Sequence, residues 1–298
     1  MSRRRPTASR LTALAVLAAT LAVAALSGVL APRDPRAMEG PPLTPPRPGL
    51  PFGTDDLGRD LWSLWCHGTR TSLQLGMSVA LLSTTAAVLV GVTGSLPNFA
   101  ARLLDGLARV VVAVPSFFLA VLLVSLLGPS TASLAASLAA SSWAAFSRVV
   151  HTQVRLELRR DYVWAARALG ATEVWVLRRH VLPALVPLAW SKFVLTVRWA
   201  VLMEATLGLV GLSDPVRPSW GAVLGSAFAY PLLFTGRVWL WWAGPPAASV
   251  LLLTWALVVL GEGLEAELDP RTRNVARRPM APTPAPRRGA GSRGAPQA

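Results

Sequence analysis

The sequence predicts an all-α protein that crosses a membrane about six times. Of its 298 residues, 53% are apolar and only 15% are charged, whereas soluble proteins carry about 25% charged residues. Four stretches contain no Asp, Glu, Lys or Arg, namely 11–32, 71–101, 110–147 and 238–261. Each is longer than the roughly 20 residues that a helix needs to cross the hydrocarbon core. A soluble globular domain and a disordered chain are therefore both excluded as the main architecture.

The first apolar stretch predicts a retained membrane helix rather than a cleaved signal peptide. An arginine-rich segment, residues 1–10, precedes an uncharged run of 22 residues. The apolar region of a signal peptide is about 7–15 residues long and ends at a small-residue cleavage site, and no clean site follows here. We therefore expect a cytoplasmic N-tail at 1–10, a first transmembrane helix at 11–31 and an external, proline-rich loop at 32–70.

The longest uncharged run predicts two membrane helices. Residues 110–147 would form a helix nearly twice as long as the hydrocarbon core is thick, at about 1.5 Å per residue. Glycine and proline interrupt helices, so Gly128-Pro129-Ser130 marks the break between the two. The third and fourth helices are therefore expected at 107–127 and 131–150.

The other helices of the membrane core, residues 71–266, follow from the remaining apolar segments. The second helix is expected to end at Pro97-Asn98, and a basic loop at 152–183 separates the fourth helix from the fifth. These remaining helices are the second at 71–97, the fifth at 185–211 and the sixth at 244–264. A basic tail rich in proline and glycine follows at 267–298 and is expected to be disordered.

The distribution of basic residues predicts the orientation in the membrane. With six spans, 21 of the 29 basic residues lie on the side that holds both termini, and seven lie on the opposite side. Cytoplasmic loops are enriched in Lys and Arg, so both termini and the loop 152–183 are expected in the cytoplasm. Segment 218–236 is also uncharged, but a crossing there would move the basic tail outside, and Pro231 interrupts it. It is expected to be external or re-entrant.

The sequence lacks the residues for catalysis or metal binding. A transport ATPase needs a Gly-rich loop that ends in Gly-Lys-Ser/Thr, but the only lysine, Lys192, stands between Ser191 and Phe193. The lone Cys66 excludes an internal disulfide, and the three histidines are not at metal-ligand spacing. The arginines lie between apolar segments, which favours membrane topology over nucleic acid binding. No catalytic site, cofactor, metal or nucleic acid is therefore expected.

Two charged residues are predicted inside a membrane span. Arg198 and Glu204 lie well within the fifth helix, and charges at such depth mark transport pathways or interhelical pairs. They are six residues apart and lie on different faces, so they cannot pair with each other. Both are candidates for the translocation path. The alternative is that each pairs with a neighbouring helix or extends to the membrane surface.

The basic loop contains a segment that predicts a protruding helical elbow. Residues 161–170 read Asp-Tyr-Val-Trp-Ala-Ala-Arg-Ala-Leu-Gly, a helix-favouring run that ends at glycine, a common C-terminal stop. A second short helix is expected at 171–180, ending before Pro183. The alanines Ala165 and Ala166 would let the surface of another protein approach closely. The alternative is a solvated basic loop without a partner.

Four segments in register resemble one family of transport proteins. Ala165-Ala166-x3-Gly170 with Val181-Leu182-Pro183 resembles the EAA loop of permease subunits of binding-protein-dependent ABC importers. Three further segments resemble the oligopeptide/dipeptide/nickel branch of that family, in its second-permease or C-type subunit. They are Phe52–Asp60 with Gly68–Leu73, Glu204–Leu212 with Pro218–Gly221, and Gly261–Leu264 with Leu268–Arg271. Together the four cover about residues 50–272.

The resemblance implies a type I ABC importer permease fold in the inner membrane of a bacterium. The chain would form the translocation path for peptides, nickel or another small solute together with a second permease. Two cytoplasmic ATPase subunits would hydrolyse ATP, and an external substrate-binding protein would deliver the solute to loops including 52–72 and 212–237. The residues implied in coupling to the ATPases are Asp161, Ala165, Ala166, Gly170, Leu182 and Pro183.

The external motif predicts a structural cap rather than direct substrate contact. Its charged groups have both signs and can pair, and its glycines allow a compact turn. We therefore expect an internally salt-bridged cap on the second helix. The motif consists of Gly53, Thr54, Asp55, Gly58, Arg59 and Asp60.

Two residues depart from the family pattern. Trp164 stands where the family usually has a glutamate, and Gly208 stands where it usually has a larger apolar residue. A tryptophan cannot form ion pairs with basic groups, so the first departure implies either weaker coupling or an ATPase that has changed to match. The alternative function is a stand-alone secondary carrier or channel, which predicts inverted repeats. We find no convincing internal repeat.

Overall fold

The computed structural model describes residues 7–38, 40–95 and 99–268, and these residues form an all-α protein with three isolated β-bridges. The helices are α1 (Thr7–Ala25), α2 (Ser27–Leu30), α3 (Leu61–Thr93), α4 (Phe99–Ala113), α5 (Ser116–Leu127), α6 (Thr131–Leu158), α7 (Asp161–Ala168), α8 (Glu173–Val176), α9 (Leu182–Leu209), α10 (Trp220–Ala229), α11 (Val238–Trp242) and α12 (Gly244–Leu268). A π-helical turn at Leu177–Val181 joins α8 to α9. The predicted fold class is confirmed. The expected helix end at Pro97-Asn98 and most of the predicted tail lie outside the described residues.

Four helical segments are long and apolar enough to cross a membrane, namely Ala8–Ala25, Leu61–Thr93, Glu173–Leu209 and Gly244–Gly261. The bent pair α4 and α5 adds a fifth if it counts as one span. The remaining predicted span lies in α6, whose 28 residues extend about 42 Å. That length exceeds the hydrocarbon thickness. However, α6 is rich in serine and is not among the four helical segments that are apolar enough to cross a membrane.

The second membrane helix begins at Leu61, not at residue 71 as predicted. Asp60 is its N-cap, and the Asp60 carboxylate accepts a hydrogen bond from the backbone N–H of Trp62. The prediction placed the boundary after Arg70 because the uncharged run starts there. An arginine near the membrane surface is nevertheless compatible with a helix, since its long side chain can extend to water. The loop predicted to be external is correspondingly shorter and ends at Asp60.

The third predicted helix, 107–127, is broken in the structure. α4 and α5 meet at an angle of 100°, with Val114 and Pro115 between them. Proline has no N–H to donate to the preceding turn, and its ring clashes with that turn. Pro115 is the N-cap residue of α5, so the chain changes direction there. The prediction considered only the Gly128-Pro129 break and missed this one.

The elbow continues directly into α9, which corrects the predicted helix end before Pro183. α8, the π-turn and α9 form one helical path of 37 residues from Glu173 to Leu209. Within the π-turn, the backbone N–H of Leu182 donates to the carbonyl oxygen of Leu177, five residues back. This wider turn accommodates Pro183, which can neither donate a hydrogen bond nor fit closely against the preceding α-helical turn.

The bundle is built around α3, which packs along α6 and α9. α9 also contacts α10 and α12, and α1 packs on α12. The ten residues of α10 extend only about 15 Å, so this helix cannot cross the membrane. It buries Trp220, Val223 and Leu224 against its neighbours. The segment predicted to be external or re-entrant is therefore a short helix packed beside α9.

Candidate functional site

The elbow formed by α7, Gly170 and α8 is anchored to the bundle by buried valines. Val163 of α7, Val176 of α8 and Val181 of the π-turn are fully buried. They pack in one cluster with Val150 and Val154 of α6. Because α7, α8 and the π-turn each contribute a valine, all three are held against the same end of α6. The elbow is therefore a fixed protrusion.

Gly170 ends α7 in a geometry that requires glycine. Its φ is +90°, a left-handed conformation that other residues rarely adopt. The Gly170 N–H donates to the Arg167 carbonyl oxygen at 2.9 Å, and the Ala171 N–H donates to the Ala166 carbonyl oxygen at 3.0 Å. These two bonds define a Schellman motif, and the predicted helix stop at Gly170 is where the structure ends α7.

The outer face of the elbow carries large apolar side chains that no described residue covers. Leu169, at the tip, is 90% exposed. Exposed apolar surface of this kind is typical of protein interaction sites. The large exposed apolar residues are Tyr162, Trp164, Leu169, Val174 and Trp175. Of the predicted coupling residues, Ala166 is half-buried, and Asp161, Ala165, Gly170, Leu182 and Pro183 are exposed.

Trp164 takes part in a local pairing that replaces the glutamate of the family pattern. The Arg167 guanidinium carbon lies 5.5 Å from the centroid of the Trp164 ring, within the range of a cation–π interaction. Arg167 also forms an ion pair with Glu173, with Nη2 donating to Oε2 at 2.9 Å. Arg167 thus connects α7 to α8, and Trp164 presents an aromatic face where a carboxylate is usual.

The external motif forms an internally bonded cap on α3. The Asp55 carboxylate is fully buried and accepts hydrogen bonds from Nε of Arg59 at 2.6 Å and from the backbone N–H of Arg59 at 2.8 Å. Asp60 accepts from the hydroxyl of Ser63 at 2.7 Å in addition to capping the helix. The carboxylates of Asp55 and Asp60 are therefore engaged within the chain, which is the geometry of a structural cap.

The remaining residues of the cap fix its turn. The Thr54 hydroxyl donates to the Pro41 carbonyl oxygen at 2.7 Å and accepts from the Thr44 N–H at 2.9 Å. Gly53 and Gly58 have positive φ angles of 70° and 78°, and a Cβ on either would collide with a backbone carbonyl.

Partial burial and the nearby Asp55 carboxylate raise the pKa of Asp56. Within the described ranges, no group of three His, Cys, Asp or Glu could hold a metal.

Glu204 lies at the centre of a buried hydrogen-bond network rather than on an open surface. Its side chain is 2% exposed. Oε2 accepts from the Ser72 hydroxyl of α3 at 3.0 Å, and Oε1 accepts from the Ser219 hydroxyl and from the Gly221 N–H, the latter at 3.1 Å. Since Ser219 and Gly221 lie at the N-terminus of α10, the carboxylate also faces the positive end of that helix. Glu204 thus joins three helices.

Gly208 departs from the family pattern because α9 and α10 touch through their backbones. A Cβ on Gly208 would collide with the carbonyl oxygen of Gly221, and a Cβ on Gly225 would collide with the carbonyl oxygen of Gly208. Glycines at these contacts permit an approach that a larger residue would prevent. The short α10 can therefore press against α9 next to Glu204.

Arg198 lies on a different face of α9 from Glu204, six residues earlier in the chain. Its Nε atom is buried and makes no hydrogen bond to any described residue, while the side chain as a whole is half-buried. Leu195 and Leu202, three residues before it and four after it, are exposed and share its helix face. The structure therefore separates the two predicted path residues: Glu204 is internal, and Arg198 borders an uncovered face of α9.

Asp214 is a second carboxylate with a structural role, and sequence reasoning missed it. It accepts hydrogen bonds from the Thr131 N–H at 2.7 Å and the Thr131 hydroxyl at 2.6 Å, which places it at the N-terminus of α6. It also accepts from the Val216 N–H at 2.8 Å. Burial alone would raise the pKa of Asp214, but these hydrogen bonds outweigh burial and lower it. A loop aspartate carries no sequence signal for a contact 83 residues away.

We expect Asp214→Asn to lower the free energy of unfolding by about 1 kcal/mol at pH 7, because hydrogen bonds to a charged carboxylate contribute more than bonds to a neutral amide oxygen. Because the folded-state pKa of Asp214 is lowered, its stabilising effect is complete above the ordinary value of 3.8. It is lost as the pH falls through the lowered value. Thermal unfolding of the purified chain at pH 7 and at a pH well below 3.8 measures this. Asp105→Asn, in an exposed pair, is the control; an Asp214→Asn difference independent of pH would contradict the prediction.

Comparison with known proteins identifies relatives along most of the chain. The family described as "Binding-protein-dependent transport system inner membrane component" matches residues 83–274. The di/tripeptide transport system permease protein DppC of Pseudomonas aeruginosa is 37% identical over 76% of this chain and 73% of that protein. The dipeptide transport system permease protein DppC of Bacillus subtilis is 30% identical over 77% of this chain and 71% of that protein.

A solved structure shares the fold. A chain of the MetNI methionine ABC transporter, in an inward-facing conformation, matches 68% of this chain and 95% of its own length, with a TM-score of 0.52 and 18% sequence identity. A second crystal form of the same transporter gives a TM-score of 0.53 at 20% identity. At this level of identity the match concerns the arrangement of helices alone.

Proposed function

The chain belongs to the family of binding-protein-dependent transport system inner membrane components, and on that premise we propose that it is the second permease of a heterodimeric peptide importer. Two separate ATPase subunits drive this importer, and an external binding protein supplies it. The peptide assignment is supported by the names of the relatives that match most of the chain. Nickel and other small solutes remain the alternatives to a peptide.

The observation that carries the proposal is the fixed, apolar elbow. Val163 and Val176 hold it against α6, while Leu169 and Trp164 project from it uncovered. A protrusion that is rigid at its base and apolar at its tip suits docking into a groove of another protein, because docking removes apolar surface from water. We assign this partner surface to the ATPase.

Trp164 indicates the chemistry of the matching groove. A glutamate at this position would attract a basic group, whereas the Trp164 ring presents an aromatic surface and the nearby Arg167 cation is already paired with Glu173. We therefore propose that the partner ATPase offers an apolar contact at this point. The coupling would be retained with changed side chains on both proteins.

The uncovered face of α9 supports pairing with a second permease. An arginine at a lipid-facing position inside a membrane is costly, and Arg198 has no hydrogen-bond partner for its Nε among the described residues. A second permease against this face would place Arg198 in a shared, hydrated path. The excess of arginine on the elbow side supports a cytoplasmic location for the elbow and both termini.

The external surface supports delivery of substrate by a binding protein. The cap at 53–60 and the loop around Asp214 are both held by internal hydrogen bonds, so they form stable surfaces on the side opposite the elbow. Arg36 of the external loop also donates to the carbonyl oxygen of Val216. These bonds tie the two external segments to one another, as a common docking surface requires.

Site-specific cross-linking tests the ATPase contact. The chain has one cysteine, Cys66, and it is buried, so a cysteine introduced at Leu169 is the accessible thiol. In native membranes, a reagent that joins this thiol to a nearby amine is expected to link the Leu169→Cys chain to a protein with a Gly-x4-Gly-Lys-Ser/Thr loop. Mass spectrometry identifies the product.

Thr235→Cys is the matched control, because Thr235 is also exposed but lies in an external loop. It is expected to give no ATPase adduct. Purification in mild detergent should also recover a second six-span permease. A solitary, stable chain without ATPase adducts at Leu169→Cys would overturn the proposal and favour a stand-alone carrier.

A further inference from the structure

A basic cavity lies at the elbow end of the bundle, between α3, α4 and α6. Its volume is about 570 Å³. Gly91 and Gly94 of α3 form part of its wall, and a Cβ on Gly94 would crowd Nδ1 of His151. The titratable residues that line the cavity are Arg102, Asp105, Arg109, Arg148, His151 and Arg155.

The cavity carries an excess of positive charge that the described residues do not neutralise. Asp105 is its one acidic lining residue, and it pairs with Arg109 at 2.6 Å. Arg102, Arg148 and Arg155 form no ion pair with any described residue. Three guanidinium groups therefore surround one space without a partner, and guanidinium groups bind phosphate oxygens in a bidentate manner.

The position of the arginines along α6 matches the level of lipid headgroups. α6 begins at Thr131, next to the external loop that holds Asp214. At about 1.5 Å per residue, Arg148 lies about 25 Å and Arg155 about 36 Å further along the helix. The hydrocarbon core is about 30 Å thick. The two arginines thus lie on either side of the expected boundary between acyl chains and headgroups.

Exposed apolar residues accompany the arginines on both helices. On α6, Val149 and Leu156 are exposed and directly follow Arg148 and Arg155. On α4, the exposed residues Leu103 and Leu107 form part of an apolar stripe, while the arginines of that helix face the cavity. A soluble anion would use only the cationic groups. A molecule with a phosphate group and acyl chains would use both kinds of surface.

We propose that this cavity binds the phosphate group of an anionic phospholipid. Arg102, Arg148 and Arg155 hold the phosphate, and the adjoining apolar residues of α4 and α6 contact the acyl chains. Binding at this place would fasten α4 to α6 on the side of the elbow. The proposal does not depend on the transported substrate or on the ATPase contact.

Native mass spectrometry of the full-length chain tests the site with phosphatidylglycerol and phosphatidylcholine of equal acyl chains as probes. The wild-type chain is expected to retain phosphatidylglycerol selectively. Each arginine near a membrane surface contributes about a fivefold gain in affinity for anionic lipid, so Arg148→Gln/Arg155→Gln is expected to weaken retention by about 25-fold. Melting temperatures establish that the variant remains folded.

The matched control is Arg159→Gln/Arg179→Gln, which removes two exposed arginines on the same side but outside the cavity. It is expected to retain the lipid. Equal loss in both double variants, or equal retention of both lipids by the wild-type chain, would overturn the proposal. Displacement of phosphatidylglycerol by excess inorganic phosphate would overturn the lipid assignment and indicate a site for free phosphate.

Discussion

An aspartate introduced at Ala166 or at Gly170 is expected to abolish ATP-driven uptake while the chain still inserts into the membrane. Ala166 is half-buried on the elbow, and Gly170 is exposed at its turn. An unpaired charge buried in an interface costs about 2–5 kcal/mol, and even the lower value weakens docking roughly 30-fold. Uptake of a labelled dipeptide by cells measures the effect, with immunoblots of isolated membranes to quantify the inserted chain.

Two control variants separate charge from backbone strain in this experiment. Gly170→Ala and Gly170→Asp both place a side chain at a φ of +90°, which costs about 1–2 kcal/mol, but only the aspartate adds charge. Gln153→Glu adds the same charge on α6 with little change in side-chain size, outside the elbow and outside the basic cavity, and should leave uptake near normal. Wild-type uptake by the Ala166→Asp variant would rule out the coupling role.

Replacement of Glu204 by alanine is expected to lower the free energy of unfolding by about 3–5 kcal/mol. This carboxylate accepts hydrogen bonds from the hydroxyls of Ser72 and Ser219 and from the N–H of Gly221. Its removal leaves these buried donors without an acceptor and separates α10 from α9. The melting temperature and the monodisperse fraction of the detergent-purified chain measure the loss.

Glu204→Gln separates a packing role from a role of negative charge in transport. The amide keeps the shape, its oxygen can accept the bonds from Ser219 and Gly221, and its NH2 group can donate to the Ser72 hydroxyl. We expect a small loss of stability and near-normal uptake. Arg198→Gln should leave stability unchanged, since its Nε bonds no described residue. A Glu204→Ala chain as stable as wild type would contradict the structural role.

The lengths of the apolar segments predicted most of the helices, because each membrane helix needs a long uncharged segment. The predicted fourth helix, 131–150, and sixth helix, 244–264, begin where α6 and α12 begin. Helix ends and bends were less predictable, because hydropathy reports burial in lipid rather than backbone geometry. The start at Leu61 depends on the Asp60 cap, and the bend at Pro115 and the π-turn before Pro183 depend on how two prolines are accommodated.

How well the site residues could be predicted depended on how far apart in the sequence the contacting residues lie. The stop at Gly170 and the pairing of Asp55 with Arg59 involve neighbours within a few residues, so composition and spacing were sufficient to predict them. Glu204 and Ser72 are 132 residues apart. Hydrogen-bonding residues at such distances carry no mark of their partner, so the sequence left Glu204 open between the translocation path and a contact with a neighbouring helix, and it did not predict the contact with Ser72.

The helical path from Glu173 to Leu209 places the elbow near one end and the Glu204 network near the other. Its 37 residues extend about 55 Å. A tilt of about 5° at the elbow end displaces the far end by about 5 Å, comparable to the rise of one helical turn. Because Glu204 ties that far end to α3 and α10, a displacement of the elbow would be carried along α9 to the Glu204 network.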